Sequence, residues 1–279
     1  MNPLVSTEWL AAHLNAVRVV DASWYMPDEK REPAKEYLAE HIPGAVFFDI
    51  DGIADHATDL PHMMPSPDAF AAAASALGLS DGDTIIVYDG TGLFSAPRVW
   101  WSLRAMGQTQ VFVLDGGLPK WRAEGRALAK WNHEDPAPKP GNFHARPVAA
   151  LARDYDAVLA HQKHDDAQIL DARSTSRFTG EEKEPRPGLK SGHMPGAVNI
   201  HWRNLLTHDN TLKSDAELRR IFAEKGLDMR APIVTTCGSG ISAAILMLAL
   251  EKLGAADVSL YDGSWAEWGG RDGAPIVTG

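Results

Sequence analysis

The sequence predicts an α/β protein of two tandem units, each a mostly parallel sheet flanked by helices, and three observations carry that prediction. The first is an internal repeat: "HIPGAVFFDI" from His41 returns as "HMPGAVNIHW" from His193, "VRVVDAS" as "AQILDAR", and "DGGLPKW" to Trp121 as "DGSWAEW" to Trp268, in the same order and at nearly constant spacing. Second, within each copy short β-branched runs alternate with helical stretches. Third, "WNHEDPAPKPGNFHARP" stands between the copies, and its prolines and charges suit an extended linker. The expected division is a first unit over 1–132, a linker over 133–149 and a second unit over 150–279.

Strands are expected at "AVRVV", "TIIVYD" and "QVFVLD" in the first copy and at "AQILD", "PIVTTC" and "VSLYD" in the second. Helices are expected at "DAFAAAASALG", "APRVWWSLRAMG", "SDAELRRIFAEKG" and "ISAAILMLALEKLG". A chain of 279 residues with 44% hydrophobic and 23% charged residues has the composition of a globular protein and can bury a sizeable core.

A net charge of −10 without a dense Lys/Arg run argues against nucleic acid as a partner. Arginines in "STSRFTGEEKEPRPG" would still suffice to hold one small carboxylate. The opening "MNPLVSTEWLAAHLNAVRVVD" has neither a basic n-region nor an unbroken apolar segment, and the run from Ile241 to Leu250 is too short to span a bilayer. No membrane association and a cytoplasmic location are therefore expected.

The chain has one cysteine, Cys237, which rules out an internal disulfide and a Cys-based zinc site. No metal and no cofactor are expected. In "PIVTTCGSGISAAILMLAL" a strand runs into Cys237 and a helix starts around Ile241 to Ala243. Backbone N–H groups of Gly238 to Ser242 and the helix dipole would favour a thiolate there, and the glycines let the loop curl around the sulfur. A buried structural cysteine in a tight turn is the competing reading; the glycine- and hydroxyl-rich flank weighs towards a reactive one. In the first copy "IIVYDGTG" aligns with "IVTTCGSG", so Asp89 stands where Cys237 does. One unit would then carry the reaction while the other shapes a cleft between them.

Two rival motifs fit less well. "GSGISA" matches a dinucleotide-binding G-x-G-x-x-A with Asp262 as a ribose partner, but too little chain follows Asp262 to complete such a sheet, and "GTGLFS" lacks the third small residue. A cysteine phosphatase would need an arginine six positions after the cysteine, where Ala243 stands.

The loop Cys237-Gly-Ser-Gly-Ile-Ser-Ala in the second of two repeats, each with an "H-x-PGA" element, resembles the two-domain rhodanese family, and within it the sulfurtransferases that use 3-mercaptopyruvate. "VVDASWYMP", "EYLAEHIPGAVFFDID", "YDGTGLFSAPRVWW", "RFTGEEKEPRPG" and "YDGSWAEWGG" follow the family's order over nearly the whole chain. The resemblance implies two rhodanese-like domains with Cys237 as the sulfur-accepting nucleophile and Gly238, Gly240, Ile241 and Ser242 in its cradle. It further implies Arg177 and Arg186 on the substrate's carboxylate and keto oxygen, and Ser239, His62 and Asp51 as a proton-transfer group. Read alone, the two arginines flank an acidic stretch and would form solvated surface pairs; His62 would be a surface histidine and Asp51 a turn residue. Ile241-Ser242 replaces the family's usual Val-Thr, a change of rate more than of reaction.

The implied activity moves sulfur from 3-mercaptopyruvate through a Cys237 persulfide to an external acceptor: a small thiol, a thioredoxin-like protein or cyanide. Thiosulfate is the alternative donor. A catalytically inert binding module is the alternative of another class.

Overall fold

The computed structural model describes residues 2–132 and 138–279, so positions 133–137 of the expected linker lie outside the described residues. The first unit runs β1 (Leu4–Val5), α1 (Thr7–His13), β2 (Arg18–Asp21), α2 (Pro33–Ala39), β3 (Ala45–Phe47), α3 (Pro67–Ala76), β4 (Ile85–Tyr88), α4 (Ala96–Ala105), β5 (Val111–Leu114) and α5 (Gly117–Ala123). The second runs β6 (Ala152–Arg153), α6 (Tyr155–His164), β7 (Gln168–Asp171), α7 (Thr175–Thr179), β8 (Val198–Asn199), α8 (Asp215–Glu224), β9 (Ile233–Thr236), α9 (Ala243–Lys252), β10 (Val258–Tyr261) and α10 (Ser264–Trp268).

The two sheets have the same topology, β1-β5-β4-β2-β3 and β6-β10-β9-β7-β8. Every pairing is parallel. β4, β9 and β10 are buried along their whole length, which is why they read as continuous apolar or β-branched runs and not as alternating ones. All six strands and four helices expected from the sequence are present. The edge strands β1, β3, β6 and β8, of two or three residues each, lie outside the expected set, because so few residues carry no period.

The repeated "H-x-PGA" element has a structural role in both units. His41 Nδ1 donates to the Tyr37 carbonyl at 2.7 Å and His193 Nδ1 to the Phe178 carbonyl at 2.8 Å. Each histidine's backbone also pairs with the end of its own unit, His41 with Ala129 and His193 with Val277.

Helices α4 and α9 pack against each other across the interface. In α9 every residue from Ala243 to Leu250 is buried, between its own sheet and α4, which accounts for a helix apolar on all sides. One core passes through both units, from Val20 and Val87 through Trp100 and Trp101 to Leu246 and Leu260. Among the described residues no helix is long and apolar enough to cross a membrane.

The described part of the connecting segment forms neither helix nor strand, yet it is fastened to the first unit. Gly141 N–H donates to the Ser75 carbonyl at 2.7 Å, and Arg146 and Val148 N–H to those of Met106 and Ala105, each at 2.8 Å. Phe143 is buried against Phe70, ring centroids 5.7 Å apart. Phe143→Ala should therefore destabilise the protein by about 3 kcal/mol, the scale for emptying a buried aromatic site. An unchanged urea midpoint would show that this segment contributes nothing to stability.

Candidate active site

Cys237 follows β9, Ser242 caps α9, and the intervening loop curls around the sulfur. Cys237 is 2% exposed and accepts the Gly240 N–H on Sγ at 3.1 Å. Gly240 has φ +80°, and a Cβ there would lie 3.0 Å from the Asp262 carbonyl oxygen, so only glycine fits. The start of α10 fixes the loop from the other side. Trp265 N–H donates to the Cys237 carbonyl and Ala266 N–H to that of Gly238, both at 2.9 Å. Cys237 N–H donates to Ser264 Oγ at 3.2 Å.

The first unit shows what such a loop holds. Asp89 Oδ1 accepts N–H groups of Thr91 and Gly92, both at 2.8 Å. Its Oδ2 accepts those of Phe94, Ser95 and Ala96 at 2.7, 3.0 and 2.9 Å. Five amides thus converge on one fully buried carboxylate. The aligned amides around Cys237 belong to Ser239, Gly240, Ser242, Ala243 and Ala244.

His62 and Asp51 come together in the first unit. His62 Nδ1 lies 2.6 Å from Asp51 Oδ1, and Trp24 Nε1 donates to Asp51 Oδ2 at 2.9 Å. The hydrogen bond from His62, which outweighs partial burial, holds the Asp51 carboxyl below its ordinary pKa. Asp49 supplies the turn, accepting the N–H groups of Asp51 and Gly52. His62 is buried and left-handed (φ +61°), a costly backbone for a non-glycine residue. Among the described residues its Nε2 has no hydrogen-bond partner, so Ser239, itself buried, is not joined to it.

The arginines are not solvated surface pairs. Arg177 Nη2 donates to Glu184 Oε2 at 2.5 Å, and the Glu184 side chain is buried. Arg173 clamps Glu184 from behind at 2.8 Å, pairs with Asp171 at 2.6 Å and stacks on Trp265 at 4.1 Å. A Cβ on Gly238 would lie 3.0 Å from Arg177 Nη2, which puts this guanidinium against the cysteine loop. Arg186 is half-buried and, among the described residues, has no hydrogen-bonded or ion-paired partner. Burial lowers its pKa from the ordinary value; the nearby charge of Cys237 opposes this, and Arg177 adds to it.

Sequence reasoning missed Arg98. This 2% exposed side chain reaches from α4 to pair with Asp262 at 2.6 Å and donates to the Gly240 carbonyl at 3.4 Å. It also donates to the His62 carbonyl and stacks on Trp101 at 4.5 Å. Asp262 accepts the Met64 N–H at 2.8 Å with its other oxygen. The residue weighed above as a ribose partner is thus the counter-ion of an arginine that ties the His62 loop to the Cys237 loop. The available signal was an arginine in the first turn of a helix, next to the run Val99-Trp100-Trp101.

The chain contains the rhodanese-like domain twice, over residues 6–124 and 154–271, and belongs to that family. Its relatives over nearly its whole length are sulfurtransferases. The 3-mercaptopyruvate sulfurtransferase of Escherichia coli K12 is 44% identical over 276 residues, 98% of this chain and 96% of that protein. The mitochondrial thiosulfate/3-mercaptopyruvate sulfurtransferase 1 of Arabidopsis thaliana is 42% identical, over 98% of this chain and 78% of that protein. The crystal structure of SseA from Escherichia coli, a 3-mercaptopyruvate sulfotransferase, superposes with a TM-score of 0.85 at 41% identity, covering 96% of this chain and 100% of that one.

Removing Arg98 would leave Asp262 charged, buried and unpaired. Arg98→Met should cost about 3–5 kcal/mol. Arg98→Met with Asp262→Asn should recover part of that loss, and a denaturant series on the three variants measures both. A loss below about 1 kcal/mol would mean that this pair does not hold the two units together.

Proposed function

We propose that this sulfurtransferase takes sulfur from 3-mercaptopyruvate onto Cys237 and passes it to an external acceptor, releasing pyruvate. The observation that carries the reading is Arg186, a half-buried guanidinium without a partner among the described residues, within electrostatic reach of Cys237 and Arg177. A cation held this way without a counter-ion is suited to an anion that arrives from solution.

In this reading the Cys237 thiolate attacks the sulfur of the donor and the carbon–sulfur bond breaks. The electron pair passes to the adjacent ketone as the enolate of pyruvate, which takes up a proton at carbon. Arg177 and Arg186 hold the carboxylate and keto oxygen and stabilise the developing charge. Glu184 and Arg173 fix Arg177 in place, while Arg186 is left to the substrate. His62, Asp51 and Ser239 handle the proton. The Asp51 contact orients the imidazole, and its unpartnered Nε2 is the nitrogen able to exchange a proton.

The cradle around Asp89 supports a persulfide on Cys237. An aspartate carries its terminal oxygens three bonds from Cα, and a cysteine persulfide carries its outer sulfur at the same remove. The thiol alone takes the Gly240 N–H; the outer sulfur would reach the amides aligned with the Asp89 Oδ2 donors, Ser242 and Ala243 among them. Ile241 is buried and Gly238 and Gly240 keep the approach clear, so these loop residues bind by shape and backbone. An inert binding module has no use for a thiol in such a cradle.

The neutral loop and the close approach of Arg177 to Gly238 favour a donor with one carboxylate and one ketone over the compact dianion thiosulfate. Charge-assisted hydrogen bonds are worth about 1.5–3 kcal/mol each. Arg186→Ala should therefore lower kcat/KM for 3-mercaptopyruvate by roughly 10- to 100-fold and spare thiosulfate turnover. Steady-state kinetics with both donors decides: equal wild-type efficiencies, or equal losses in the variant, would move the protein to the thiosulfate reading.

Cys237→Ser should abolish transfer with the fold intact, and near wild-type turnover in a mass-verified variant would sink the assignment. His62→Ala should reduce turnover by about 10²-fold. Full activity would remove His62 from the reaction.

A further inference from the structure

A second cavity of about 240 Å³ lies between the two units, lined among others by Phe94, Arg177, His201, Trp202, Arg203 and Ser242. Phe94 from the first unit and Trp202 from the second meet with ring centroids 4.8 Å apart, and Arg203 lies over Trp202 at 4.4 Å. Arg203 is exposed and, among the described residues, has no carboxylate partner. His201 has its pKa lowered by burial and then by Arg203 and Arg177, which marks a positive field in a chain of net charge −10. Glu29 is the acidic group on the rim, and its carboxylate already accepts the Met26 N–H.

We propose that this cavity is the acceptor site and that it selects small anionic thiols, with the carboxylate towards Arg203 and His201 and the sulfur towards the Cys237 loop. The proposal rests on Cys237 as the sulfur carrier and adds the class of its second substrate. Two observations join the cavity to the transferred atom. Ser242 lines it, and Ser242 aligns with Phe94, whose amide donates to Asp89 Oδ2. A persulfide seated like Asp89 would therefore present its outer sulfur at this end of the loop. Arg177, one of the two cations assigned to the donor, lines this cavity too, whereas Arg186 does not, so the acceptor would enter beside the donor's site with Arg203 as the cation of its own.

The chemistry balances without a further reagent. The acceptor thiolate attacks the outer sulfur, the bond from that sulfur to Cys237 Sγ breaks, and its electron pair returns to Cys237 as thiolate. The acceptor leaves as a persulfide, and no net oxidation occurs.

The test separates the two half-reactions. Full-length protein is charged with 3-mercaptopyruvate, the added sulfur is verified by mass, and its discharge is timed with 3-mercaptopropionate and with neutral 2-mercaptoethanol. Arg203→Gln should charge normally, discharge to 3-mercaptopropionate about tenfold more slowly, and discharge to 2-mercaptoethanol within about twofold of wild type. Added salt should slow only the anionic thiol in the wild type. Normal charging with equal effects on both thiols, or none, would overturn the acceptor site alone. No added sulfur in the wild type would overturn the carrier reading and this proposal with it.

Discussion

The buried ion pair between Arg98 and Asp262 is the constraint on which the rest of the site depends. Two charges out of water are tolerable only when each meets an opposite charge. Here the guanidinium also meets the carbonyls of His62 and Gly240, and the second carboxylate oxygen takes the Met64 N–H. That geometry links three loops from two units. Gly240 in turn directs its N–H at the Cys237 sulfur, so the position of the nucleophile and the position of the imidazole are set by one arginine. The apolar packing of α4 on α9 brings the units together without choosing an alignment; directional contacts choose it, those of Arg98 and the ion pair between Arg104 of α4 and Glu251 of α9.

The repeat explains how one architecture came to hold two different anions. Both units end a central strand in a glycine-containing loop that opens a buried helix, and in both the amides of that loop point inward. The first fills the cradle with its own carboxylate and becomes a rigid wall. The second places a single thiol there and leaves room for chemistry. A pair of identical, self-satisfied cradles would have no site, and a pair of open ones would lack the fixed surface that α4 and Phe94 provide.

Charge is arranged just as unevenly. The chain is acidic overall, yet the region around Cys237 gathers Arg173, Arg177, Arg186 and Arg203. Glu184 is shared by Arg173 and Arg177, which locks Arg177 against Gly238, and Asp171 matches the second positive charge. Arg186 and Arg203 have no such partner among the described residues. The difference separates arginines fixed by carboxylates from arginines that no carboxylate fixes.

The sequence by itself determined the two α/β units, their order and the loop that carries Cys237. Strand and helix periodicity, a glycine-rich turn and an internal repeat are local features, and local sterics and burial write them into neighbouring residues. It also singled out Arg177, Arg186, His62 and Asp51, through resemblance and not through any spacing, since these lie far apart along the chain. What the sequence left open was which carboxylate meets which cation: Glu184 and Asp262 look like ordinary acidic residues, and Arg98 like an arginine in the first turn of a helix. Only the tertiary structure decided that Asp262 answers Arg98 across the interface, that Glu184 answers Arg173 and Arg177, and that Arg186, though within the field of Glu184 and Asp51, makes no ion-pair contact among the described residues. Arg98 and Asp262 lie more than a hundred residues apart, and even Glu184, close in sequence to Arg173 and Arg177, meets them only because the chain between them folds back; a Coulomb interaction is fixed by distance in space and by burial, neither of which is a property of a neighbouring residue.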